Sequence, residues 1–163
     1  KDSKKVLDNW FICEHANTRY SARGFFSAYA RGEETVEGFT FEVFSEQLVE
    51  FIRKMHWKGV YFRDLSGGNV LIRIEDNNRL AFSLIDTARA RFANQKFSRN
   101  KRIADLKRLV HKLDPQRQEY FMEAYLKKEN AHFSCFHKLS FKLYALKASL
   151  KRMKRKARKR FTS

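Results

Sequence analysis

The sequence predicts an α+β fold, mostly helical with a small β part. Three patterns lead there: an amphipathic stripe over 44–55, two apolar strands around a polar turn at 76–78, and helical stripes from residue 103 onward. A length of 163 residues suits one domain with its own core. The balance of 43% hydrophobic and 33% charged residues excludes a disordered chain. No apolar run reaches membrane-spanning length, and the start shows no signal-peptide pattern. Cys13 and Cys135 lie too far apart for a disulfide-stapled scaffold and read as reduced thiols of a cytosolic protein.

The elements follow in order. Trp10–Ala16 and Gly24–Ala30 are aromatic and β-favouring, and the polar 17–23 segment between them predicts a hairpin. Residues 31–38 are polar with two glycines and read as a connector. Phe44, Leu48, Phe51, Ile52 and Met55 form one helical stripe, ended by Gly59. A short stretch 60–62 precedes a polar loop, then strands Val70–Ile74 and Leu80–Ile85 flank the turn Asp76-Asn77-Asn78. Ile103, Leu106, Leu109, Val110 and Leu113 make the next helix. Asp114-Pro115 is an N-cap followed by proline at the first helical position, and Phe121, Ala124 and Tyr125 continue that helix. Phe136, Leu139, Leu143, Leu146, Leu150 and Met153 form a last apolar seam, with Lys138, Lys142, Lys147, Lys151 and Arg152 on its other faces.

The chemistry resides in two short motifs. Residues 61–72 read YFRDLSGGNVLI, and residues 84–92 read LIDTARARF. The first has the form R-D-L-x-x-x-N before an apolar strand, and the second is a strand ending in Asp86. This is the layout of the phosphotransfer loop in kinase folds. Phosphotransfer needs a carboxylate to accept the proton of an attacking hydroxyl, the place of Asp64. It also needs hard oxygen donors for Mg²⁺, the places of Asn69 and Asp86. The 70–85 hairpin returns the chain so that Asp86 arrives beside Asn69, while Gly67 and Gly68 allow a tight loop.

These motifs resemble the lipopolysaccharide kinase family, ATP-dependent kinases that phosphorylate Kdo or heptose of the Gram-negative inner core. The stretches 62–69 and 84–89 resemble its catalytic and metal motifs, and 102–109 resembles the helix that follows. The resemblance covers about residues 9–127. It implies a protein-kinase-like fold: a mostly helical large lobe over 39–135, with 1–38 as a remnant of the small lobe's last hairpin plus hinge. It implies ATP and Mg²⁺ as cofactors, Asp64 as catalytic base, and Asn69 and Asp86 as metal ligands. Arg63 and Asp105 would support the loop, although a helix-start Asp at 105 is also explained as a cap or dipole partner. Arg89 and Arg91 are candidate contacts to an acceptor's phosphate or carboxylate, the alternative being a solvated arginine pair.

The sequence also departs from kinase patterns. Phe62 stands where many kinases have His, Asp86-Thr87-Ala88 replaces Asp-Phe-Gly, and no Ala-Pro-Glu follows, which argues against a protein substrate. No glycine-rich loop precedes residue 30. The reading is therefore of a truncated or split gene product, or one whose start is missing, with weak ATP binding and little turnover alone. A separate chain could supply the small lobe. A catalytically silent kinase-like scaffold is the alternative, and an aminoglycoside-type phosphotransferase shares the same loop logic.

The charge adds a second theme. Of the formal +17, residues 127–163 carry +12 and residues 1–126 only +5. Lys151, Arg152, Lys154, Arg155, Lys156 and Arg158 belong to a run of eight cations in 151–160, and with the seam they make a basic amphipathic helix over 136–163. Such a helix suits an anionic membrane, in keeping with a cytoplasmic enzyme peripheral to a Gram-negative inner membrane and acting on a lipopolysaccharide core precursor. The competing reading packs the seam on the domain. A nucleic-acid binder is the rival from another class, but the aromatics fall on core stripes and no nucleic-acid-binding motif is present, so no specific nucleic acid is expected. His132, Cys135 and His137 lack a second ligand pair at zinc spacing and read as non-metal.

Overall fold

Helix α2 (Phe41–Trp57) is the axis of the fold. The computed structural model describes residues 18–161, except for the side chains of 152 and 155–161. Thr40 caps α2, its hydroxyl accepting the N–H of Val43, and the stripe Phe44, Leu48 and Ile52 is wholly buried. Gly59 ends it at φ +75°, where an added Cβ would collide with the backbone of Ala93. That close approach lets β4 (Val60–Tyr61) pair with β7 (Arg91–Phe92).

The central hairpin is β5 (Val70–Glu75) with β6 (Arg79–Leu84), in register from Val70–Leu84 to Glu75–Arg79. Its turn places Asn77 and Asn78 at φ +65° and +60°, the left-handed pair that a tight hairpin favours. A two-residue strand, β1 (Tyr20–Ser21), pairs on the far side of β5. The 31–38 segment closes through β2 (Thr35–Val36) and β3 (Phe39–Thr40). Helices α3 (Arg99–Val110), α4 (Pro115–Leu126) and α5 (Cys135–Phe161) complete the chain. Asp114 caps α4, its side chain accepting the N–H groups of Gln116 and Arg117.

Two expectations are corrected. Gly24–Ala30 is not a strand: it lies in helix α1 (Ala22–Ala30), capped by Ser21. Ala22, Phe25, Phe26 and Tyr29 recur at helical spacing and are all buried, Phe25 stacking on Phe44 at 4.8 Å. Their packing on α2 outweighs the β preference of aromatic residues. The partner strand expected at Trp10–Ala16 lies outside the described residues.

The second correction concerns α5. Its apolar seam does not pack on the domain: Phe136, Leu139, Leu143, Leu146, Leu150 and Met153 are all exposed, Phe136 by 77%. The helix docks through another face. Phe141 is buried against Phe133, Tyr144 meets His111 edge-on, and Lys107 bonds Ser140. One hydrophobic core runs from Ala22 through α2 and α4 to Phe141.

Candidate active site

The loop between β4 and β5 carries Asp64 and Asn69. It is anchored by Phe62 and Leu65, both buried. Arg63 between them sits at φ +65°. Its side chain is exposed and forms no hydrogen bond or ion pair among the described residues, so the support expected from it lies in the backbone bend alone.

The sequence motifs meet here. The Asn69 side-chain amide donates to the Asp64 carbonyl at 3.0 Å. Ile85 N–H donates to the Asn69 carbonyl at 3.0 Å, which sets Asp86 beside Asn69. Asp86 takes a left-handed conformation, φ +59°, which a short polar side chain tolerates. Its carboxylate is exposed and unpaired among the described residues. The Asp64 carboxylate, by contrast, is gripped by two guanidiniums, Arg108 at 2.7 Å and Arg89 at 3.4 Å. Arg89 thus contacts the candidate base itself. Arg91 is exposed on β7 without a polar partner among the described residues.

Gly67 and Gly68 have a different role from the one expected. Neither has positive φ; instead, a Cβ on Gly67 would stand 2.9 Å from the Arg23 backbone nitrogen. The glycines let the start of α1 press against the catalytic loop.

Beneath the loop lies a buried polar chain. Asp105 accepts the Phe62 backbone N–H at 2.8 Å, so α3 holds the loop's entry directly. Asp105 is in the middle of α3, which removes the helix-start cap reading. His56 reaches Asp105 through Nε2 at 3.3 Å and Tyr125 through Nδ1 at 2.6 Å. Arg102 donates to the Tyr125 hydroxyl at 3.2 Å and pairs with Glu129 at 2.6 Å. Burial lowers the His56 pKa, with Asp105 opposing only in part. Burial also pushes the Tyr125 hydroxyl up to about 12. Both groups are therefore neutral near pH 7, and one proton arrangement fits these contacts: Tyr125 O–H donates to Nδ1, and Nε2–H donates to Asp105 Oδ2, while Asp105 Oδ1 has no partner among the described residues. For Glu129, burial raises the carboxyl, but Arg102 and Arg99 outweigh it and hold the group low.

Sequence reasoning missed His56. The signal was available: it lies four and eight residues after Ile52 and Leu48, on the buried face of α2.

The donors fit a divalent ion of the hard, oxygen-seeking kind. Asp86 offers a free carboxylate, and Asn69 keeps its amide oxygen free while its nitrogen is engaged. No group of three His, Cys, Asp or Glu among the described residues could hold a metal alone. Mg²⁺ bound by one carboxylate and an amide would take its remaining oxygens from nucleotide phosphates and water.

Comparison with known proteins agrees with this geometry. The model of the lipopolysaccharide kinase (Kdo/WaaP) family matches residues 27–125, more than half of the chain. The chain belongs to this family. The lipopolysaccharide kinases are phosphotransferases, so an enzyme family stands behind the catalytic loop. A solved structure of WaaP in complex with acyl carrier protein shares the fold, with a TM-score of 0.60 at 17% identity. The match covers 80% of this chain and 58% of that one, so the chain spans little more than half the length of this neighbour. No curated protein matches the sequence.

Proposed function

We propose that the chain carries the acceptor and metal half of an ATP-dependent kinase for a lipopolysaccharide inner-core sugar. The juxtaposition of Asp64, Asn69 and Asp86 by two hydrogen bonds supports this above all. The acceptor hydroxyl oxygen attacks the γ-phosphorus as the bond to the β,γ-bridging oxygen breaks. The proton passes to the Asp64 carboxylate, and ADP leaves. Asn69 and Asp86 would hold Mg²⁺, which when bound offsets the phosphate charge. Arg89 and Arg108 orient Asp64 until an anionic acceptor competes for them. Among the described residues no glycine-rich loop or strand lysine covers ATP phosphates, so we infer weak nucleotide binding and little turnover by the 163 residues alone.

The exposed seam of α5 supports a place at a membrane surface. Its apolar side chains are flanked by Lys138, Lys142, Lys147, Lys151 and Lys154. An anionic bilayer satisfies both, leucines at the headgroup boundary and lysines on phosphate. A nucleic acid would satisfy only the charges. No described helix is long and apolar enough to cross a membrane. The remaining basic residues proposed for this contact, Arg152, Arg155, Lys156 and Arg158, have side chains outside the description. The neighbouring WaaP, solved with acyl carrier protein, makes that protein a second partner to test.

The test is nucleotide binding, followed with a fluorescent ATP analogue with and without Mg²⁺. Binding should require Mg²⁺, be lost in Asp86→Ala and persist in Asp64→Ala. Metal-independent binding, or binding indifferent to Asp86, rejects the site. ATP turnover by the chain, abolished in Asp86→Ala, would overturn the expectation of low activity.

A further inference from the structure

A groove of about 750 Å³ lies between α1, α3 and α5, and one end of it is the catalytic loop at Ser66 and Gly67. Six cations line it: Arg23, Arg31, Arg108, Lys112, Lys147 and Lys151. No Asp or Glu does. Phe26, Leu109, Tyr144 and Ala148 supply an apolar floor. Arg31 is paired outside it with Glu33, and Arg108 with Asp64. The other four have no carboxylate partner among the described residues. A comparable cavity of about 660 Å³ between α2 and α4 behaves differently: Glu46, Glu50 and Glu123 there outnumber Arg53 and Lys127. Basic composition alone does not therefore explain the groove. Cations gathered around one hollow repel each other, and an anion seated between them removes that repulsion.

We propose that this groove seats the anionic part of the acceptor, the phosphate and carboxylate groups of a phosphorylated sugar. The assignment rests on the phosphotransfer reading of Asp64. It places the specificity of the reaction in α1, α3 and α5 rather than in Arg91. Arg108 joins the two sites, since its guanidinium lines the groove and holds Asp64 at 2.7 Å. An anion in the groove competes for Arg108 and frees Asp64 for the hydroxyl. Arg108 is thus a positioning residue. The apolar floor faces sugar-ring carbons or the start of a lipid chain.

The test is calorimetric titration of the 163-residue protein at about 150 mM salt, where exposed charges more than ~8 Å apart are screened. The probe is an acyl-free inner-core oligosaccharide carrying Kdo and phosphate. A second arm uses vesicles of phosphatidylglycerol and phosphatidylethanolamine, to separate a soluble phosphosugar from a lipid headgroup. The triple change Lys112→Glu, Lys147→Glu, Lys151→Glu is compared with Lys58→Glu, Lys101→Glu, Lys127→Glu, which alters the net charge equally outside the groove. The groove variant should lose oligosaccharide affinity at least thirtyfold and the control less than threefold. If the triple change disturbs the thermal melt, Lys147→Glu alone carries the comparison, with an expected loss of at least threefold. Equal losses in both variants, no loss in either, or binding to vesicles only overturn the proposal. Nucleotide binding, measured separately, tells its failure from that of the kinase reading. Oligosaccharide binding without nucleotide binding leaves the groove standing and removes the phosphotransfer, and the reverse removes the groove.

Discussion

Asp105 and Asp64 lie on two sides of one loop and differ in almost every respect. The Asp105 side chain is wholly buried and receives a backbone N–H and an imidazole. The Asp64 side chain is 14% exposed, and its partners are two long, half-exposed arginines. The first arrangement has one geometry, because any departure strands buried hydrogen-bond donors. The second has several, because water can replace either guanidinium at small cost. The buried carboxylate fixes where the loop is; the open one keeps the freedom that the proposed base needs.

That contrast sets an order of effects. Asp105→Ala should cost about 1–3 kcal/mol for each of the two buried donors it strands, the Phe62 N–H and the His56 Nε2–H, whereas Asp64→Ala should shift stability by less than ~1 kcal/mol. Urea denaturation of both variants checks this, and comparable losses would erase the distinction between the two sides. Tyr125→Phe should cost about 1–2 kcal/mol, since it removes the hydroxyl shared by His56 and Arg102 and leaves both short of a partner.

The pH dependence sharpens the comparison further. His56 has a lowered pKa in the fold, so the unfolded chain binds the proton more readily. Its contribution is therefore complete above pH ~6.5 and is lost as the pH falls toward the lowered value. Melting temperature should drop between pH 7 and pH 5, and His56→Gln should flatten that slope, although His111 and His137, also lowered by burial, retain part of it. A slope unchanged by His56→Gln would mean that the buried chain does not titrate as described.

Much of the site was legible in local sequence. Helix α2, its glycine stop, the Asn77-Asn78 turn and the Asp114-Pro115 cap are decided by residues within a few positions of each other. The catalytic loop was legible because five residues separate Asp64 from Asn69 and a hairpin of fixed register returns Asp86. What escaped was decided by distant packing. Helix α1 hid behind its aromatic composition, because Phe44 and Phe121 lie elsewhere in the chain and choose the conformation of Phe25 and Phe26. The docking face of α5 hid behind its leucines, which outnumber Phe141 and Tyr144 and point outward. The basic groove draws its walls from three separate stretches, 23–31, 108–112 and 144–151, and no single one announces it.

The left-handed Arg63 has a mechanical meaning. A residue of its shape resists that twist by roughly 1–2 kcal/mol, and its exposed side chain has no polar partner among the described residues to offset it. The compensation comes from its neighbours: Phe62 and Leu65 sink into the interior like two pegs, and the short span between them must bow. The carboxylate of residue 64 rides on that bow. Its placement is thus dictated by oily side chains facing the interior, and a cavity opened beneath either peg would displace the proposed base without touching it.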